Sequence, residues 1–403
     1  MTFVKIVIAP DSFKGSLSAP EVCEWVARAL LDTIPDADVV SVPMADGGEG
    51  TLEALVKATS GRIVPIRVPG PLREEVDSKY GVLGDGKTVV IELANIAGLP
   101  MVPEAQRDPF QTSTQGVGTA LRMAMDAGYR DFIVGIGGSA TNDGGMGFLH
   151  ALGATFLDDT GRSVAPIGGE LNRVRQVDMS GLDSRLRACR IAVASDVENP
   201  LCGPRGASAV FGPQKGATPE QVRALDDGLH NFAGLVESHL HQSFQHQPGA
   251  GAAGGMGFAL LAIGASIQSG ARLVADADLL SNHLTGADFV ITGEGRTDEQ
   301  TLYGKVPFVV AQLGRQCGVK SILLSGSLGH NLVRRPETYV AREQSDSTVQ
   351  DTENEMFRLE EMFISLHSIV SRPMSVVEAM EDAKSLLYFC ARNVAALLAL
   401  AKI

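Results

Sequence analysis

Short apolar runs alternate with amphipathic stretches at both ends of the chain, and the rhythm changes in the middle. Val4 to Ile8 is a brief β-branched run stopped by Pro10, which predicts a buried strand. Ser18-Ala19-Pro20-Glu21 has the spacing of a capping box, and Val22, Trp25, Val26, Ala29 and Leu30 recur at helical intervals behind it. Ala37 to Val42 reads as the next strand and Leu52 to Ala58 as the next helix. Strand, helix, strand, helix implies parallel pairing through crossovers. The same rhythm returns from Ala287, with strand Phe289 to Thr292, helix Pro307 to Cys317 and strand Ser321 to Ser325. A last helix is predicted over Ser375 to Ala401.

Between these ends the pattern shortens. Ile63 to Val68, Lys79 to Leu83 and Thr88 to Leu93 read as strands joined by tight turns, with Asp85-Gly86 the signature of a type I′ hairpin. Helix Gly116 to Ala127 follows, then strands Asp131 to Gly135 and Arg190 to Ala194. Thr218-Pro219-Glu220-Gln221 is a second capping box, opening a helix to about His239, and helix Phe258 to Ser269 is expected after a glycine block. The expected fold class is therefore α/β with two domains: a discontinuous parallel-sheet domain of the flavodoxin/Rossmann-like kind carrying an inserted α+β domain. Its boundaries are placed at residues 1–65 plus 285–403 for the first and 66–284 for the second. Residues 331–363 break the pattern, with acids and few apolar anchors, and read as a flexible acidic insertion.

Composition sharpens this only in part. A length of 403 residues favours two cores over one. The net charge of −13 argues against nucleic acid, which needs a basic face. No run reaches the roughly 18 uninterrupted apolar residues of a membrane span, and five scattered cysteines suit reduced thiols. The expectation is a cytoplasmic protein without membrane contact; a homodimer is left open.

The chemistry lies in glycine- and acid-rich blocks beside apolar runs: residues 9–16, 45–50, 135–145, 249–255 and 292–298. Glycine lets backbone N–H groups converge on an anion, and carboxylates there suit a divalent cation between acid and phosphate. Phosphoryl transfer is the leading expectation. A formal P-loop match at Gly81 and Gly86-Lys87-Thr88 runs into a strand instead of a helix, which removes it. Two dinucleotide-type patterns, at Gly135 to Ala140 and Gly249 to Gly254, lack the strand–loop–helix setting and serve better as anion cradles. A nicotinamide-dependent hydroxy-acid dehydrogenase and a non-enzymatic sugar-acid binding protein are the alternatives.

Six ordered motifs carry a resemblance. Ile8-Ala9-Pro10-Asp11-Ser12-Phe13-Lys14-Gly15-Ser16, Pro43-Met44-Ala45-Asp46-Gly47-Gly48-Glu49-Gly50 and Gly137-Gly138-Ser139-Ala140-Thr141-Asn142-Asp143-Gly144-Gly145 are three of them. Phe211-Gly212-Pro213-Gln214-Lys215-Gly216, Pro248-Gly249-Ala250-Gly251-Ala252-Ala253-Gly254-Gly255 and Thr292-Gly293-Glu294-Gly295-Arg296-Thr297-Asp298 complete the set. Together they resemble the type 1, bacterial-type glycerate kinase family from about residue 3 to 330 and again from about 375. The resemblance implies phosphorylation of D-glycerate by ATP with Mg²⁺, usually to 2-phosphoglycerate, in glyoxylate or sugar-acid catabolism, at a site between two α/β domains. Residues 331–363 depart from the family's short connection and strand. The catalytic candidates are Asp46, Asp196, Lys14 and Arg296, and the metal candidates Asp143, Glu294 and Asp298. Gly137, Gly138, Ser139, Asn142, Gly251, Gly254, Gly255 and Lys215 are the candidates for nucleotide contact.

Overall fold

The computed structural model describes residues 4–277, 280–298, 301–302, 304–329, 359 and 361–400. The chain divides into two units, Met1–Asp46 with Ala271–Ile403, and Gly47–Gly270.

The first unit opens with β1 (Lys5–Ile8), helix Ala19–Thr33 and β2 (Asp38–Ser41). The helix starts as its sequence predicts: Ser18 accepts the Glu21 amide while the Glu21 carboxylate accepts the Ser18 amide at 3.0 Å. The chain then enters the second unit. Helix Thr51–Ala58 leads to β3 (Arg62–Pro69), β4 (Glu75–Val82) and β5 (Thr88–Glu92). After helix Gln115–Asp126 come β6 (Asp131–Gly135), β7 (Thr155–Leu157), β8 (Gln176–Asp178), β9 (Arg190–Ala194), helix Pro219–Leu240 and β10 (Ser266–Gln268). Back in the first unit lie β11 (Phe289–Thr297), helix Val306–Gln316, β12 (Lys320–Leu328), β13 (Ser365–Ser368) and helices Val376–Glu381 and Ala383–Leu400.

The first unit's sheet runs β13-β12-β11-β1-β2, parallel throughout. Alternation along its strands divides two cores. Ile322 and Leu324 of β12 face a cluster with Val26, Leu30, Leu387 and Ala391. Leu323 between them points to the other side, against Ala311, Leu359 and Phe363. Helix Ala383–Leu400 is long and apolar enough to cross a membrane by length and composition, although no uninterrupted apolar run was expected to reach that size. Its stripe of Leu387, Ala391, Val394 and Leu398 is buried in the sheet-covering core.

The second unit's sheet is mixed, in the order β10-β9-β6-β5-β4-β3. Only β3, β4 and β5 pair antiparallel; β5, β6, β9 and β10 are parallel. Both boundaries differ from the sequence expectation. Helix Thr51–Ala58 belongs to the second unit because it lies on β4 and β5, where Glu92 accepts the Gly50 and Leu52 amides at 3.2 and 2.9 Å. At the other crossing, helix Leu280–Leu284 packs on helix Val306–Gln316 of the first unit.

Three local readings are corrected. The Asp85-Gly86 link is not type I′, because φ is positive only at Gly86 and the turn closes from the Gly86 amide to Leu83. The helix expected over Phe258 to Ser269 ends at Ala262; Gly264, with φ +89°, turns the chain into β10. The terminal helix breaks at Asp382 into two. The insertion read at 331–363 lies outside the described residues up to 358. Leu359 and Phe363 are buried, and β13 then pairs parallel with β12.

Candidate active site

In the first unit the loop beyond β1, the carboxyl ends of β11, β12 and β13 and the helix after β13 line a cavity of about 790 Å³, where open parallel sheets place their ligands. The β1 loop is fixed by backbone: the Asp11 amide donates to Gly293 at 2.8 Å and the Met44 amide to Pro10 at 2.9 Å. These bonds bring the Asp11 and Asp46 segments onto one wall. Phe13 and Leu17 pair across a tight loop that carries Lys14.

Lys14 Nζ lies 2.6 Å from Asp46 Oδ2. Asp11, only 7% exposed, accepts the Ser12 amide at 2.7 Å. Burial, reinforced by the Asp46 charge, pushes the Asp11 carboxyl up to about 8. Removal from water opposes the Lys14 charge, but Asp46 and Asp11 outweigh it and hold the ammonium above the usual lysine range. On the same cavity Glu294 is buried and accepts hydroxyls from Thr301 at 2.6 Å and Thr297 at 3.0 Å. Burial raises its pKa, and those hydroxyls with Lys305 restrain the rise. Arg296 Nε sits 3.4 Å from Asp298 Oδ2.

Of the predicted residues, the fold therefore gathers Lys14, Asp46, Glu294 and Arg296 on one cavity, with Asp298 paired to Arg296. Glu294 and Asp298 do not form a ready cation cage: Lys305 Nζ stands between them, 4.0 Å from one and 3.9 Å from the other. Among the described residues no group of three His, Cys, Asp or Glu side chains converges as a metal site. The donor chemistry nonetheless fits a nucleotide-borne magnesium ion, which takes one or two carboxylates and draws its other ligands from phosphate and water. Asp11 and Asp46 offer hard oxygens, and a cation would relieve the buried Asp11 charge.

The second unit corrects several expectations. Asp143 is fully buried and its carboxylate accepts the Thr114 amide and hydroxyl, the Gly145 amide and the Gly147 amide. It ties a loop together instead of facing a metal. Lys215 is also buried, and its ammonium donates to Ser139 Oγ at 2.8 Å and the Thr141 carbonyl at 2.7 Å. Burial lowers its pKa to about 7, so it is an interior donor and not an open phosphate contact. Asn142 donates to Ser208 at 3.0 Å. Gly137 donates to Gly47, Gly138 accepts from Leu99, Gly251 donates to Asn199, and Gly144 donates to Gly254. Gly255 is pressed on Gly144. These glycines allow one backbone to lie against another. Asp196 accepts the Gly270 amide at 3.0 Å, away from the other catalytic candidates in sequence and in the other unit from Lys14, Asp46 and Arg296.

Sequence reasoning missed the apolar wall of the cavity, formed by Met374, Val376 and Met380. The signal was available in the spacing of Val376, Ala379, Met380 and Ala383. It also missed the Thr297 and Thr301 clamp on Glu294, four residues apart.

A parallel sheet whose carboxyl edge carries paired acids and cations defines an α/β protein equipped to handle an anionic small molecule. Its family is explicit: residues 6–399 match the model of the glycerate kinase family, and the chain belongs to that family. A glycerate kinase of Bacillus subtilis (strain 168) is 44% identical over 400 residues, 99% of each chain. A glycerate 2-kinase of Escherichia coli (strain K12) is 48% identical over 326 residues, covering 81% of this chain and 86% of that one. A crystal structure bearing the name glycerate kinase 2, from Salmonella typhimurium LT2, aligns over 100% of both chains with 44% identity and a TM-score of 0.79.

Proposed function

We propose that this chain is an ATP-dependent glycerate kinase, a phosphotransferase with an alcohol acceptor, and that its product is 2-phosphoglycerate. Family membership and relatives named for glycerate phosphorylation support the reaction. The name of the Escherichia coli relative supports the 2-position. The structural observation that carries the reading is the Lys14–Asp46 pair at 2.6 Å beside the buried Asp11. It sets a proton acceptor and a cation on the wall of one cavity.

In the proposed reaction the glycerate hydroxyl oxygen attacks the γ-phosphorus of ATP, the bond to the bridging oxygen breaks, and ADP leaves. The hydroxyl proton passes to the Asp11–Asp46 carboxyl pair, with Asp46 the acceptor. Asp11, whose pKa burial and the neighbouring Asp46 charge raise, sets a second carboxyl beside the acceptor. Lys14 neutralises charge on the transferring group, and Arg296 offers the fork geometry that suits a carboxylate or phosphate. Magnesium, bound through Asp11 or Asp46, would supply charge neutralisation across the phosphates. The dehydrogenase reading finds no support: both dinucleotide-type glycine patterns are packed against neighbouring backbone, and the Bacillus subtilis and Escherichia coli relatives carry kinase names.

A coupled ADP-release assay with ATP, Mg²⁺ and D-glycerate tests the reading, followed by phosphorus NMR of the product. Glycerate-dependent ADP release with the phosphorus coupled to the C2 proton is expected. A C3 phosphoester would overturn the regiochemistry, and no turnover by folded protein would overturn the activity.

A further inference from the structure

The acids and cations of the first-unit cavity account for phosphoryl chemistry, but they form only one of its walls. The other is apolar, built from Phe13, Leu328, Ile369, Met374, Val376 and Met380. Val376 is 75% exposed and Met380 38% exposed. Both lie on helix Val376–Glu381, and the stripe Val376, Ala379, Met380, Ala383 lines the cavity. Apolar side chains left open on a concave wall mark a ligand surface, since a core would bury them. Two hydroxyls beside these side chains are already committed. Ser375 Oγ engages Glu378, and Ser368 Oγ accepts the Val370 amide at 3.2 Å. The wall thus offers apolar contact more than side-chain hydrogen bonds.

Size and charge narrow the occupant. A cavity of about 790 Å³ lies within the roughly 300–1,000 Å³ of small-molecule and cofactor sites, far beyond what a three-carbon acid fills. Lys14, Arg296 and Lys305 line it too. One tight loop joins the two walls: Gly15, next to Lys14, lies so close under Met380 that a Cβ there would stand 2.7 Å from Cε. A ligand that is flat and apolar at one end and polyanionic at the other matches both walls.

We propose that this apolar wall seats the nucleoside of the phosphoryl donor, with its polyphosphate running back toward Lys14, Arg296 and Lys305. The proposal rests on the kinase reading and adds where the donor binds: in the first unit, and not on the glycine loops 137–145 and 249–255. Helix Val376–Glu381 is then a recognition element for the base and ribose.

The test is Ala379→Trp, which fills the apolar side of the cavity from an exposed helix, together with photolabelling of the unaltered full chain. Titration with the fluorescent analogue mant-ADP is expected to give a Kd raised about tenfold or more in the variant. Displacement by tripolyphosphate, which has no nucleoside, should stay within about twofold, as should the KM for glycerate. Label from 8-azido-ATP should map to peptides containing residues 369–383. Unchanged mant-ADP affinity in a folded variant, or label on residues 137–145 or 249–255, overturns the proposal. If Ala379→Trp fails to fold, the label position in the unaltered chain decides alone. Failure of the kinase reading looks different: mant-ADP binds and 8-azido-ATP labels residues 369–383, yet glycerate releases no ADP.

Discussion

Asp46 and Lys14 are adjacent in space only because the β1 loop and the segment after β2 run side by side. They form an ion pair at 2.6 Å. Asp46→Asn keeps the shape and the hydrogen-bonding capacity while removing the proton acceptor and the charge. It is expected to lower kcat about 10²-fold or more, with the urea midpoint little changed. Turnover near that of the unaltered chain in the ADP-release assay would remove Asp46 from the reaction. Glu294 shows the limit of reading acids from sequence. Its position beside two glycines suggested a metal ligand, whereas Thr297, Thr301 and Lys305 already surround it. A carboxylate's role depends on which donors the fold brings to it.

At the scale of elements, the glycine-rich blocks change their meaning. Residues 137–145 and 249–255 looked like anion cradles because glycine exposes backbone amides. In the structure they lie on each other, with Gly144 donating to the Gly254 carbonyl at 3.0 Å. Gly254 has φ +68°, and a Cβ there would collide with the Thr141 carbonyl oxygen. Gly254→Ala is therefore expected to lose more than about 2 kcal/mol of unfolding free energy, from left-handed strain and overlap together. Gly86, also at φ +68° but with no atom near its missing Cβ, separates these causes. Gly86→Ala should cost only about 1 kcal/mol. Equal urea midpoints for the two variants would show that the loop contact carries no weight. The capping boxes behave differently, because their partners lie three residues apart and need nothing from the fold. Those at Ser18 and Thr218 form as spaced, and Ser375 with Glu378 adds a third.

At the scale of the whole molecule, buried acids make stability depend on pH. Burial pushes Glu92 up to about 7 from the ordinary glutamate value, against the Leu52 and Gly50 amides that favour its charge. A carboxyl whose folded pKa is raised binds more protons when folded than when unfolded. Its stabilising contribution is therefore present in acid and is lost as pH rises through about 7. Asp11, near 8, acts in the same direction. The unaltered chain should lose urea resistance from pH 5 to pH 8, and Glu92→Gln should show a shallower loss. Parallel slopes for the two chains would show that Glu92 does not titrate as its surroundings dictate.

Local periodicity alone determined most of the elements, since an apolar stripe or a capping box is satisfied by neighbours in the chain. The parallel rhythm at both ends also revealed a discontinuous sheet, and the ordered motifs revealed the family. Tertiary structure decided the rest. It moved the unit boundaries to 46/47 and 270/271, because helix Thr51–Ala58 chooses the sheet on which it can bury Leu52 and Leu55. It drew Lys14, Asp46 and Glu294 onto one cavity and turned Asp143 and Lys215 inward. Spacing cannot express such choices: whether a charge faces a ligand or a buried amide depends on contacts between residues distant in the chain, and those exist only once the sheet has formed.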